Sequence, residues 1–343
     1  MDIEFHYYMT YLISAKAGFD ANESTIIAHS SQYVDDNDII FEIDKGKASA
    51  YRNYISQTMN ILKPKPNLLR IYPIFHFIPG DPLAETALRK DGKMHWLNTT
   101  PNSSNANAII DLALASGNLY RIGIASHSYV DTWAHQNFVG YFDEFNAMSD
   151  PLSAAIPNIG HADAKHNPDW PALVWQDKRL LTDRVDNNER FMAAAEHLFA
   201  KYLSITKPGM KKAEITKQAK ELKKDLLREI GERDQSNDFK QERIARYKLL
   251  GANSGYGDQE ITKYDESDWF EAVVNEKVRG IRDKSDSSLS RWDPFTDIYT
   301  WKNKSKYKQS DWYRFQQAVK IHQDESWDIL QKNTFHKLDL REL

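Results

Sequence analysis

Three residues spaced by four, His127, Asp131 and His135, give the strongest chemical signal in the chain. On an α-helix each step of four residues returns a side chain to nearly the same face, so the three share one stripe. Two imidazoles and a carboxylate are donors that a zinc ion prefers, at a spacing a rigid helix can hold. The neighbours Ile122, Ile124, Ala125, Val130, Trp133 and Ala134 are apolar and predict a buried helix rather than a solvated polar face. Buried His and Asp need partners, and a metal supplies them. Donors on one helix approach an ion from one side only, so the remaining ligands must come from elsewhere.

Four places offer them. Glu4 and His6 open the first predicted helix. Asp35 and Asp36, in Tyr33-Val-Asp-Asp36, end the second, where carboxylates meet the unfavourable end of the helix dipole and need a positive partner. His76 stands between Phe75 and Phe77, in surroundings that imply burial. The segment Gly160 to Asp169 carries His161, Asp163 and His166. Each has an ordinary reading by itself: a core histidine, a C-terminal turn, a solvated loop. Their joint placement beside apolar segments favours a shared role. The chain has no cysteine, which excludes disulfides and thiolate ligands and leaves His and carboxylate to hold any metal.

The elements that must position these residues are mostly helical in period. Phe5 to Ala17 reads as a helix stopped by Gly18. Asp20-Ala-Asn-Glu23 is a capping-box pattern opening a helix to about Val34. Leu62-Lys-Pro-Lys-Pro-Asn is a breaker, and the prolines of residues 71–80 predict an extended segment. Helices are expected over 106–116 and, after Gly117-Asn118, over 119–138. Residues 146–175 read as a long functional loop. A helix over 188–203 follows, and then Ile215, Ala219, Leu222, Leu226 and Ile230 form an apolar stripe on a charged helix. Two more helices are expected over 267–282 and 311–331. Few stretches alternate strictly, so the predicted fold is all-α, a multi-helix bundle. Residues 1–204 form its metal-binding core and 205–343 a helical extension packed on it, or one domain continues throughout.

The order of these donors resembles the zinc-dependent phospholipase C and single-strand nuclease superfamily, all-helical phosphodiesterases with two or three zinc ions. The shared pattern is an N-terminal His, a Tyr-x-Asp ending helix two, a His in an extended stretch, then His-x3-Asp and later histidines; it covers about residues 1–200. The whole chain looks closer still to an uncharacterised bacterial family. Its members open like Ile3-Glu-Phe-His6 and carry Gln32-Tyr-Val-Asp-Asp36, the His127–His135 segment and Gly160-His-Ala-Asp163. Carried over, the superfamily resemblance implies His6 at an outer metal and Asp35 (or Asp36) and His76 at a second, shared with His127 and Asp131. His135 and His161 would hold the remaining ion. In that superfamily the first residue ligates zinc through its amine and carbonyl; here five residues precede His6, so Glu4 or Asp2 would have to substitute. The Glu usual four residues after the last His is replaced by Lys165, which leaves Asp163 or Asp169 to serve.

The activity expected from this pattern is phosphoester hydrolysis by a metal-activated water, with Asp35 or Asp36 accepting its proton. The competing expectation is a non-enzymatic helical scaffold with a closed, structural metal site. No His is directly followed by Asp, and no Glu-x-x-His occurs, which removes two other helical metalloprotein types. A net charge of −4 gives no global attraction to nucleic acid or anionic lipid. Lys302, Lys304, Lys306 and Lys308 alternate with Trp301, Tyr307 and Trp312, a pattern that suits either single strands or simple packing. Neither a leader peptide nor a run of about 18 apolar residues is evident, so a cytoplasmic location is expected.

Overall fold

The computed structural model describes residues 1–58, 65–148, 158–277 and 297–338. The chain enters through a π-helical turn, Glu4–Met9, which runs directly into α1 (Thr10–Ala17). Gly18, at φ 108°, ends α1 in the left-handed region that glycine adopts without strain. α2 (Ala21–Asp36) opens with the expected capping box: Asp20 accepts from the Glu23 amide, and the Glu23 side chain accepts from the Asp20 amide. Two short helices follow, α3 (Lys65–Leu69) and α4 (Tyr72–Phe75). The extended segment expected at 71–80 is thus partly helical. Pro73 lies in the first turn of α4, where a missing N–H costs nothing.

α5 (Ser104–Ala115) is capped by Ser103, and α6 (Leu119–Ala134) by Asn118, whose side chain accepts from the Tyr120 and Arg121 amides. Every residue of α6 from Tyr120 to Ala134 is buried. It is the central strut, packed against α2, α5, α7 (Asn187–Thr206) and the last long helix. α8 (Lys212–Ile230) buries Ala219, Leu222, Leu226 and Ile230, four of the five positions of the expected stripe. α9 (Lys240–Gly251) was not legible as a helix, since little beyond Arg243, Tyr247 and Leu250 is buried. α10 (Asp268–Val273) and α11 (Asp311–Asn333) complete the set.

The expectation of an all-α fold is corrected by strands. β1 (Glu42–Ile43), β2 (Tyr51–Arg52), β7 (Val274–Lys277) and β8 (Ile298–Trp301) form a mixed sheet in the order β2-β1-β8-β7. β1 and β8 run parallel, with Ile43 opposite Tyr299; the other pairs are antiparallel. β3 (Phe142–Asp143) pairs with β4 (Asn158–Ile159), and β5 (Val174–Gln176) with β6 (Arg184–Asp186). Strands of two to four residues are too short to show a period of two in sequence. The helix expected over 267–282 therefore stops at Val273 and continues as β7; residues 278–282 lie outside the described segments.

One hydrophobic cluster draws on residues from Met1 to Phe335, so the expected boundary near residue 204 falls across a shared core. A second, smaller cluster around Phe77, Phe138 and Trp175 lies beneath the 158–175 segment. In the C-terminal region Trp301 stacks on Tyr307 at 4.1 Å and edges Trp312, and both tryptophans are buried. Their rings are taken up by packing, which leaves the intervening lysines outside.

Candidate metal centre

Five imidazoles and three carboxylates from five stretches of chain converge beside the C-terminal half of α6. α6 contributes His127 and Asp131, and His135 follows as its C-terminal cap, donating its amide to the Asp131 carbonyl at 2.8 Å. The π-helical entry brings His6, and its ring stacks on His127 at 3.8 Å. α2 delivers Asp35, the residue after α4 delivers His76, and the loop between β4 and β5 delivers His161 and Asp169. His6, His127, Asp131, His76 and His135 are all at most 4% exposed, whereas the side chains of Asp35 and His161 are 30% and 20% exposed. The centre is closed on one side and open at a rim made by those two residues.

Backbone carbonyls set the direction of four rings. Nδ1 of His127 lies 2.8 Å from the Ser31 carbonyl, Nε2 of His76 3.0 Å from that of Ser56, and Nδ1 of His135 2.8 Å from that of His76. Nδ1 of His161 lies 2.8 Å from the Lys165 carbonyl. A carbonyl only accepts, so each of these nitrogens carries the ring proton and the opposite nitrogen presents a lone pair inward. Burial, against the pull of Asp131, lowers the pKa of His127 and of His135 to about 4. Burial and His127 lower that of His6 to about 3. All three are neutral near pH 7, the form that binds a metal.

The inward atoms fit a cation. His76 Nδ1 and His127 Nε2 are 3.1 Å apart, and Asp35 Oδ1 is 3.7 and 3.6 Å from them. Asp131 Oδ2 lies 3.2 Å from His127 Nε2 and 3.6 Å from His76 Nδ1. A tetrahedral site with metal–donor bonds of about 2.0–2.1 Å has donor–donor edges of about 3.3–3.4 Å, and the edges within Asp35–His76–His127 and within Asp131–His76–His127 bracket that length. With no hydrogen between them, two imidazole lone pairs at 3.1 Å would repel without a cation. Asp131 Oδ2 and both His6 nitrogens are buried without a hydrogen-bond partner, as atoms reserved for a ligand would be. The other Asp131 oxygen faces a second group: Oδ1 is 3.2 Å from His6 Nε2 and 2.6 Å from the Met1 α-amine. That amine is 3.4 Å from His135 Nε2, which is 3.4 Å from Asp169 Oδ1, with His161 Nε2 3.7 Å from the same oxygen. Asp131 therefore spans two donor sets.

The electrostatics carry the same message. Burial, and then Asp131, raise Asp35 well above the usual carboxylate range. Asp131 is held well below it despite burial, by His135, the Met1 amine, His127 and His6. Burial opposes the charge on the Met1 amine, but Asp131 and Asp169 raise its pKa to about 10. Converging acids at one buried point are short of positive charge, which a bound cation would supply.

The structure brings His6, Asp35, His76, His127, Asp131, His135 and His161 together, and sets two expected residues apart. Asp36 accepts from Tyr264 Oη at 2.7 Å and Gln32 Nε2 at 3.1 Å instead. Asp163 accepts from the Met148 amide, and Asp169 is the loop carboxylate among the donors. Glu4 and Asp2 do not replace a terminal ligand; Arg243 and Lys240 engage them, and the Met1 amine is the group that reaches Asp131. That approach depends on the π-helical entry, which no sequence period reveals.

The chain belongs to a family of unknown function, DUF6765, whose model matches residues 1–330. No curated protein and no solved structure matches it. The comparisons give no support to the wider resemblance to zinc-dependent phospholipases C and nucleases.

Proposed function

We propose that this chain is a metal-dependent phosphoester hydrolase whose metal ions would be held by the donors that meet around Asp131. The observation that carries the reading is the meeting of three donor groups, Asp35–His76–His127, His6–His127–Asp131 and His135–His161–Asp169, with Asp131 Oδ2 facing His127 and Oδ1 facing His6. Nitrogen and carboxylate donors at these separations suit zinc. Divalent cations held by these residues would acidify a water and screen phosphate charge. The order of the donors along the chain resembles that of the zinc phospholipase C and nuclease superfamily, apart from the residues before His6 and Lys165, and this resemblance is the reason for choosing phosphate esters.

The residues divide the remaining work. His76, His127 and His135, each tied to a carbonyl, keep their lone pairs fixed without reorganisation. Asp131, 1% exposed, stays ionised and holds the two donor sets in register. Asp35, at the rim and 30% exposed, is the carboxylate within reach of an entering ester and of a water proton. Asp36, bonded to Tyr264 and Gln32, holds the end of α2 in place rather than taking that proton.

The test is metal content by elemental analysis together with turnover of generic phosphodiesters. The native chain is expected to carry zinc and to hydrolyse the ester. The double variant His127→Ala/Asp131→Ala is expected to lose both; if it keeps them the proposal fails. Tightly held metal with no turnover on any phosphate ester would instead favour a structural site in a helical scaffold.

A further inference from the structure

Arg243 of α9 is 1% exposed, and its hydrogen bonds go to Glu4, Asp234 and Asn237 rather than to the donors of the metal centre. Its guanidinium is spent on residues that lead to them. Nε and Nη2 donate to the two Glu4 oxygens at 2.8 and 2.9 Å, and Glu4 is itself fully buried. Nη1 donates to Asp234 Oδ2 at 2.7 Å, and Nη2 also meets Asn237 Oδ1. Asp234 accepts from the Asp238 and Phe239 amides, while its own amide donates to the Ala172 carbonyl. In the same loop, Asn187 Nδ2 donates to the Asn167 and Trp170 carbonyls on either side of Asp169. Lys240, one turn before Arg243, pairs with Asp2 at 2.8 Å.

This places the guanidinium between the two least regular ligand-bearing segments. The π-helical entry carries His6 two residues after Glu4, and the β4–β5 loop carries His161 and Asp169. Neither is held by an α-helical ladder as His127 and Asp131 are. A bidentate Arg–carboxylate pair fixes orientation as well as distance, which a lysine cannot reproduce. A buried charge network is a poor source of net stability, since apolar replacements serve as well or better. Its geometric consequence is the more informative property.

We infer that Arg243 is a positioning residue for the metal centre, fixing the His6 segment through Glu4 and the Asp169 loop through Asp234. The inference rests on the proposed metal site, and its test has one arm that does not.

Hydrogen exchange on the full-length, metal-free chain compares native protein with Arg243→Met and Arg243→Lys. Exchange at the Phe5 and His6 amides, both bonded to the Asp2 carbonyl, is expected to accelerate at least about tenfold in Arg243→Met while α6 amides keep their protection. Zinc affinity by equilibrium dialysis is expected to weaken about ten- to a hundredfold, as when a partner behind a ligand is lost, with Arg243→Lys recovering little of it. Arg243→Met combined with His6→Ala should weaken binding by less than the two single changes multiplied together, because part of the Arg243 effect acts through His6. Unchanged exchange at Phe5 and His6, uniform loosening of the whole fold, or additive effects on affinity would each overturn the inference. If the native chain took up no metal, the proposed function would fall, and the exchange arm would still decide whether Arg243 holds the entry segment.

Discussion

At the scale of single residues, the centre depends on which atom of each ring faces inward. The carbonyls of Ser31, Ser56, His76 and Lys165 make that choice for His127, His76, His135 and His161. None of these carbonyls is readable from sequence, because any residue type supplies one. The stripe His127–Asp131–His135 was readable, since helical period converts spacing directly into a shared face. The loop carboxylate was not. Asp163 and Asp169 are equal candidates in sequence, and the turn through Lys165, at φ 54°, aims the first at the Met148 amide and the second at His135. A paired replacement separates them. Asp169→Ala is expected to lose the ion held with His135 and His161, whereas Asp163→Ala keeps native metal content; elemental analysis of the purified variants is the measurement. The reverse pattern would move the second donor set elsewhere.

Elements position these residues through two contacts on α6. Where α6 crosses α2, Gly123 leaves no room: a Cβ there would stand 2.4 Å from the Ile27 carbonyl oxygen and 2.6 Å from the Ser30 Cβ. Backbone cannot retreat as a flexible side chain does, so Gly123→Ala is expected to cost about 1–3 kcal/mol, read from urea unfolding. It should also shift Asp35 relative to His127, since these lie on the two helices. On the opposite side α11 presses His322 against the Phe75 ring and toward Ser128, with Arg121 nearby. Burial first, and then Arg121, lower the His322 pKa to about 3 from an ordinary 6.5. The unfolded chain then binds a proton that the folded one refuses between those values. Stability conferred by the neutral ring is complete above pH 6.5 and declines as pH falls toward 3, by about 1.4 kcal/mol per pH unit. His322→Phe keeps the aromatic volume and removes the titration, so its stability is expected to fall less steeply over that range than the native chain's. Parallel slopes in urea titrations would show that His322 is already charged in the fold. The helix start at Asp20 was legible because capping is local chemistry, whereas Asn118, read only as part of a break, turns out to cap α6. The strands β1 and β8 were not legible, because Ile43 and Tyr299 are paired by tertiary structure across most of the chain.

At the scale of the molecule, the packing runs through the boundary expected near residue 204. Leu222, Leu226, Tyr247, Trp312, Phe315 and Val319 are fully buried in the same cluster as Phe5, Leu12 and Ile124. The lysines and glutamates that make α8 look separate lie on its outer face, so charge density there reports exposure and not autonomy. The entry segment also depends on the late region, through Glu4–Arg243 and Tyr8–Tyr247. A chain ending at residue 204 would leave these apolar faces in water and Glu4 without its cation. It is therefore expected to aggregate or to lack a cooperative thermal transition, while residues 1–338 melt in a single step by calorimetry. Should the shorter chain fold cooperatively and keep its zinc, the C-terminal half would be an addition to the metal centre and not a part of it.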